Sequence, residues 1–86
     1  MRRSELKEKL EKITDESRRY YRQYPNVHLY LMIWEDYLAC VAANRKASIH
    51  PVKERARGEV CDAWNISKDT FYLIKRMLNA LCEDVE

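Results

Sequence analysis

Seven polar side chains crowd the ten positions from 67 to 76: Ser67, Lys68, Asp69, Thr70, Tyr72, Lys75 and Arg76. Their chemistry is hydrogen bonding and charge pairing, not bond making. Arginine can pair with a guanine edge, lysine can meet guanine or phosphate, and aspartate can accept from a cytosine amino group. Serine, threonine and the free amides at a helix start can contact a phosphate. These residue types on one helical face point to double-stranded DNA.

Catalytic chemistry finds no comparable support. No paired carboxylates sit with a histidine or serine in a catalytic spacing. Glu35 and Asp36 are adjacent, so on a helix they point in different directions and form no dyad. Cys40, Cys61 and Cys82 recur every 21 residues, and His28 and His50 complete no zinc spacing. The expectation is therefore no enzyme, no metal and no cofactor, with the cysteines as buried free thiols in a cytoplasmic protein. No secretory signal is expected, and the longest apolar run, Leu29 to Trp34, is too short to span a bilayer.

Charge sharpens the picture a little. The net charge is +2, but residues 1–25 carry +3 and residues 44–76 carry +4, against −2 in 26–43 and −3 in 77–86. The positive excess thus falls on the first helical stretch and on the polar cluster. Solvated helix faces would account equally well for so modest an asymmetry.

The elements that must position the cluster are all helical. One glycine and two prolines in 86 residues leave long stretches without breakers, which predicts a single all-α domain. Ser4 is expected to cap a first helix carrying Leu6, Leu10, Ile13, Tyr20 and Tyr24, with Ser17 on the same stripe, as far as Pro25. Arg18, Arg19 and Arg22 near its end suit the helix dipole better than a nucleic acid. Asn26 is expected to cap a second helix through about Asn44. It is apolar nearly all round at its start, although Val27 to Trp34 alone could also be a strand. Pro51 suits the first turn of a third helix lined by Val52, Ala56, Val60, Ala63 and Trp64. Gly58 is expected to allow a close helix crossing, and the acidic tail Glu83 to Glu86 to fray.

Between Trp64 and Lys68 several local signals predict one stop and restart. Asn65 suits the left-handed geometry of a tight turn. Ser67 can cap the next helix, with Ile66 and Phe71 flanking it as a hydrophobic staple. Val60, Trp64, Ile66, Phe71 and Ile74 form the inward set, and the last helix runs to about Cys82.

The run N-I-S-K-D-T-F-Y-L-I-K-R resembles the helix-turn-helix of the homeodomain-like group found in DNA invertases, resolvases, transposases and many phage and bacterial regulators. Ile66, Ser67, Thr70, Phe71 and Tyr72 match its pattern, and Val60 and Cys61 match the small apolar pair of the preceding helix. Asn65 stands where that group has glycine, and Leu73 where it often has arginine. The resemblance covers about 25 of the 86 residues. The spacing along the whole chain predicts a small bundle of four helices. Residues 1–45 would be an N-terminal helical pair that braces the motif or forms a dimer, and residues 51–83 the helix-turn-helix. The implied function is a sequence-specific DNA-binding regulator or accessory factor of a phage or mobile element. A homodimer through the Trp34 and Tyr37 face of the second helix would join two half-sites. The alternative is an all-helical adaptor that binds only protein, docking its partner on that same face.

Overall fold

A computed structural model describes residues 1–85. They form five α-helices and, among the described residues, no strand: α1 (Arg3–Glu11), α2 (Asp15–Gln23), α3 (Val27–Lys46), α4 (Val52–Trp64) and α5 (Lys68–Leu81). The all-α expectation holds, with one more helix than the spacing predicted. Among the described residues, no helix is long and apolar enough to cross a membrane.

The extra helix comes from a break at residues 12–14, where one helix from Ser4 to Tyr24 was expected. Thr14 stops the chain in extended geometry and opens α2 with a reciprocal capping box. Its hydroxyl accepts from the Ser17 amide at 3.1 Å, and the Ser17 hydroxyl accepts from the Thr14 amide at 2.9 Å. Ser17 is therefore buried as a cap rather than as a poor step in an apolar stripe. Ile13, expected on that stripe, is 87% exposed. At the start of α1 the capping position is Arg2, not Ser4, and its side chain makes no cap bond. Asn26 does stand at the head of α3, but it also makes no side-chain cap bond.

α3 is the spine. α1, α4 and α5 all pack on it, while α2 folds back on α1. Leu31, Ile33 and Trp34 of α3 meet Leu6 of α1, Val60 of α4 and Ile74 of α5 in one core. Val27 to Trp34 is thus helical, and only Leu29 and Met32 of that run are exposed large apolar side chains. Trp34 is 3% exposed, stacked on Phe71 with centroids 5.7 Å apart. Of the expected dimer or adaptor face, Trp34 is thus covered from within the chain, while Tyr37 stays half-buried. Helical periodicity reports that a face is buried, not which partner buries it.

One further expectation fails at the C-terminal end. Residues 83–85 do not fray: the Glu83 amide donates to the Met1 carbonyl at 2.9 Å, and Val85 is buried. Glu86 lies outside the described residues. Asp84 accepts from the Arg3 amide at 2.9 Å and pairs with its guanidinium at 3.3 Å. Burial works against the Asp84 charge, but these two contacts outweigh it and hold the carboxyl below its ordinary range. The clamp therefore persists above the ordinary aspartate range and weakens only as pH falls through the lowered value.

α3 ends with Ser48 in left-handed geometry, φ 57°, and Ile49 N–H returning to the Asn44 carbonyl at 2.9 Å. Pro51 sits one position before the first residue of α4 rather than inside it. Gly58 permits no close crossing, since a Cβ built there meets nothing within 4 Å. It is simply a weak helix residue. Gly58→Ala should raise stability by about 1 kcal/mol in urea unfolding, and a loss of stability would mean a hidden steric role.

Candidate nucleic-acid interface

The stretch from Trp64 to Lys68 is where local chemistry and tertiary packing agree best. Asn65 adopts φ 53°, ψ 48° and ends α4. Its amide donates to the Asp62 carbonyl at 3.3 Å, and the Ile66 amide reaches the Cys61 carbonyl at 3.0 Å. That pair of bonds satisfies two carbonyls that the last turn of α4 would leave open. Ser67 then caps α5, accepting from the Thr70 amide at 3.1 Å. Two helices therefore meet across residues 65–67, as the turn chemistry predicts.

Phe71 of α5 turns inward, and its ring lies 5.0 Å from Tyr37 and 5.7 Å from Tyr72. Ile74 and Leu78 follow it into the core. The opposite side of α5 must then face solvent. Lys68, Asp69, Tyr72 and Arg76 are exposed, and Lys75 is half-buried on the flank. Asp69, Tyr72, Lys75, Arg76 and Asn79 line one shallow hollow along the helix. Leu73, in the position where the resembled group often has arginine, is 49% exposed. It faces a separate apolar hollow with Tyr24, Tyr30 and Met77.

Ser67 and Thr70 lie at the head of this stripe, but their hydroxyls already engage one another at 3.0 Å. Their place is structural in this geometry. A phosphate at that helix end would be met chiefly by the first-turn amides of α5.

Arg57 joins this face although the polar cluster of residues 67–76 does not include it. Arg57 of α4 donates from Nη1 to the Tyr72 hydroxyl at 2.7 Å, and its guanidinium carbon lies 5.6 Å from that ring's centroid. The contact fixes the tyrosine and adds a cation from a second helix. A signal for it existed: position 57 precedes Val60 and Trp64 by three and seven residues, which is inward spacing for a charged side chain. Arg57, Lys68, Lys75 and Arg76 thus oppose one carboxylate, Asp69. No family model, curated protein or solved structure matches this chain.

The remaining chemistry nearby is quiet. Burial pushes the Cys61 and Cys82 thiols up, and burial followed by the neighbouring Glu59 does the same for Cys40. All three cysteines are free, and none is an activated thiolate. Among the described residues, no three His, Cys, Asp or Glu side chains gather as metal ligands. Trp64 donates from Nε1 to Asp36 at 2.9 Å, tying the end of α4 to α3.

The turn itself is open to test. Asn65→Val should cost about 1–3 kcal/mol by forcing a β-branched residue into left-handed geometry. Asn65→Gly should be close to neutral in the same urea unfolding experiment. Equal stability of the two variants would contradict the assigned backbone.

Proposed function

We propose that this chain binds double-stranded DNA, with the outer face of α5 entering the major groove. One observation carries the reading: a net-positive stripe is held clear of the core by a short, fully capped turn. From Asp69 to Asn79 the stripe runs ten residues along α5, or about 15 Å. The major groove is about 12 Å wide, so a helix of this kind fits with side chains reaching its floor.

The roles divide by side chain. Arg76 is exposed mid-stripe and reads a base, with guanine the best match for a guanidinium fork. Lys75 and Lys68 on the flank meet guanine or phosphate, and Asp69 accepts from cytosine or favours the helix dipole. Tyr72, pinned by Arg57, packs against the backbone or a base edge. Ser67, Thr70 and the α5 amides lie where a phosphate would settle.

A single module of this size binds weakly, so a homodimer on paired half-sites is the working form we propose. Since Trp34 is enclosed, a second copy would meet the apolar side chains that α3 leaves exposed, Leu29 and Met32. A cytoplasmic regulator or accessory factor of a phage or mobile element is the setting the sequence resemblance implies. The alternative reading is an all-helical adaptor that binds only protein; Trp34 of its expected docking face is stacked on Phe71, while Tyr37 is half-buried.

Selection from a random duplex library followed by Arg76→Ala tests the assignment. On the selected site the variant should lose about 1–3 kcal/mol of binding and relax specificity at one position. Lys68→Ala should instead weaken all sequences about equally. Parent-like affinity and specificity in both variants would remove α5 from the groove.

A further inference from the structure

We infer that α2 lays Arg19 and Arg22 along the phosphate backbone of the duplex whose major groove α5 enters. The inference rests on that DNA reading and adds a second contact to it.

The break at residues 12–14 makes α2 a nine-residue helix of its own, Asp15–Gln23. Ser17 is buried, and Tyr20 and Tyr24 pack against the core, so these positions mark its inward side. Arg18, Arg19 and Arg22 all fall on the opposite side, within an arc of about 100°. Their setting is poor in negative charge. Asp15 reaches Arg18 at 3.9 Å, and both side chains of that pair are exposed. Arg19 and Arg22 have no carboxylate within ion-pair distance among the described residues. Arg22 stands three residues after Arg19 and four after Arg18, so like charges meet on a short helix at spacings that destabilise it. The helix dipole accounts for Arg22 alone, the one basic residue in the last turn. An external polyanion answers all three.

Place is the second, independent observation. The end of α2 and the flank of α5 share the hollow lined by Gln23, Tyr24, Tyr30, Leu73 and Met77. Gln23 lies one turn after Arg19, which puts Arg19 on the α5 side of α2. Around the α5 axis, Leu73 and Met77 lie about 60° and 100° to one side of Arg76, and Tyr72 and Lys75 about 40° and 100° to the other. Arg57 joins the Tyr72 side from α4. The stripe on α5 is thus bracketed by cations from two other helices, α4 on one flank and α2 on the other. A major groove about 12 Å wide has a phosphate strand along each edge. Guanidinium groups on both flanks suit two such strands, whereas an extended acidic peptide offers only one.

The test compares intact chains by fluorescence anisotropy on a random duplex and on the selected site, at several salt concentrations. Arg19→Gln and Arg22→Gln should each make the log–log salt slope shallower by about one, and the double variant by about two. Both duplexes should weaken by the same factor, since phosphate contacts carry no sequence information. Urea unfolding should find the variants as stable as the parent or slightly more so, because repulsion is relieved. Lys46→Gln, which removes one exposed charge at the far end of α3 from α2, should leave the slope unchanged. An unchanged slope in the double variant, on a parent that binds and still responds to Arg76→Ala, would overturn the α2 contact and leave the α5 reading standing. An equal loss with Lys46→Gln would overturn it as well, by reducing the effect to net charge. So would weakened binding of poly-glutamate with duplex binding unaltered, which would assign the face to an acidic protein. A parent that binds no duplex at low salt would remove both readings.

Discussion

The packing of Phe71 between α5 and α3 is the constraint on which the rest of this structure depends. Its ring meets Trp34, Tyr37 and Tyr72 within 6 Å of their centroids, at 5.7, 5.0 and 5.7 Å. Such pairs add to the burial of large apolar area. They also fix the rotation of α5 about its axis, because Ile74 and Leu78 must follow Phe71 inward. Once that rotation is set, the positions of Lys68, Asp69, Tyr72, Lys75 and Arg76 have no freedom left. The exposed charge is thus a consequence of where the aromatic cluster sits. The same cluster encloses Trp34 and so determines which part of α3 remains for any partner.

The turn before α5 serves that constraint. A helix docked by an aromatic at its fourth position must start at a defined point, and Ser67 supplies it. Asn65 ends α4 at the matching point. These are interactions among near neighbours, and for that reason they were legible in the sequence. Residues 64–68 behave as their types predict, down to the left-handed backbone at Asn65. The exposed polar set on α5 was legible too, from helical spacing alone.

Legibility stopped where distance in the chain grew or where local capping overrode periodicity. Ile13 has the right spacing for an apolar stripe, but the Thr14 and Ser17 capping box ends the helix first and leaves Ile13 in solvent. Trp34 and Tyr37 have the periodicity of a buried face, and the chain itself turned out to bury it. The acidic end looked loose because the contacts that hold it, with Met1 and Arg3, lie 81 or more residues away. Arg57 has inward spacing on α4, but that its partner is Tyr72 on another helix is not written in the spacing. For the enclosed Trp34 and the tied C-terminal residues the missing information was tertiary; for Ile13 it lay in the neighbouring Thr14 and Ser17 cap, and for Arg57 the inward placement, though not the partner, lay in its spacing.

In the function we propose, α5 presents positive charge to the phosphates of a duplex. Fluorescence anisotropy of a labelled random duplex, titrated with the intact chain at several salt concentrations, tests it most directly. Four cations, Arg57, Lys68, Lys75 and Arg76, border the stripe. Neutralising that many phosphates predicts micromolar binding to which this face contributes a log–log salt slope of about −3 to −4. A folded chain that fails to bind at low salt, or that binds with a slope near zero, would contradict the claim.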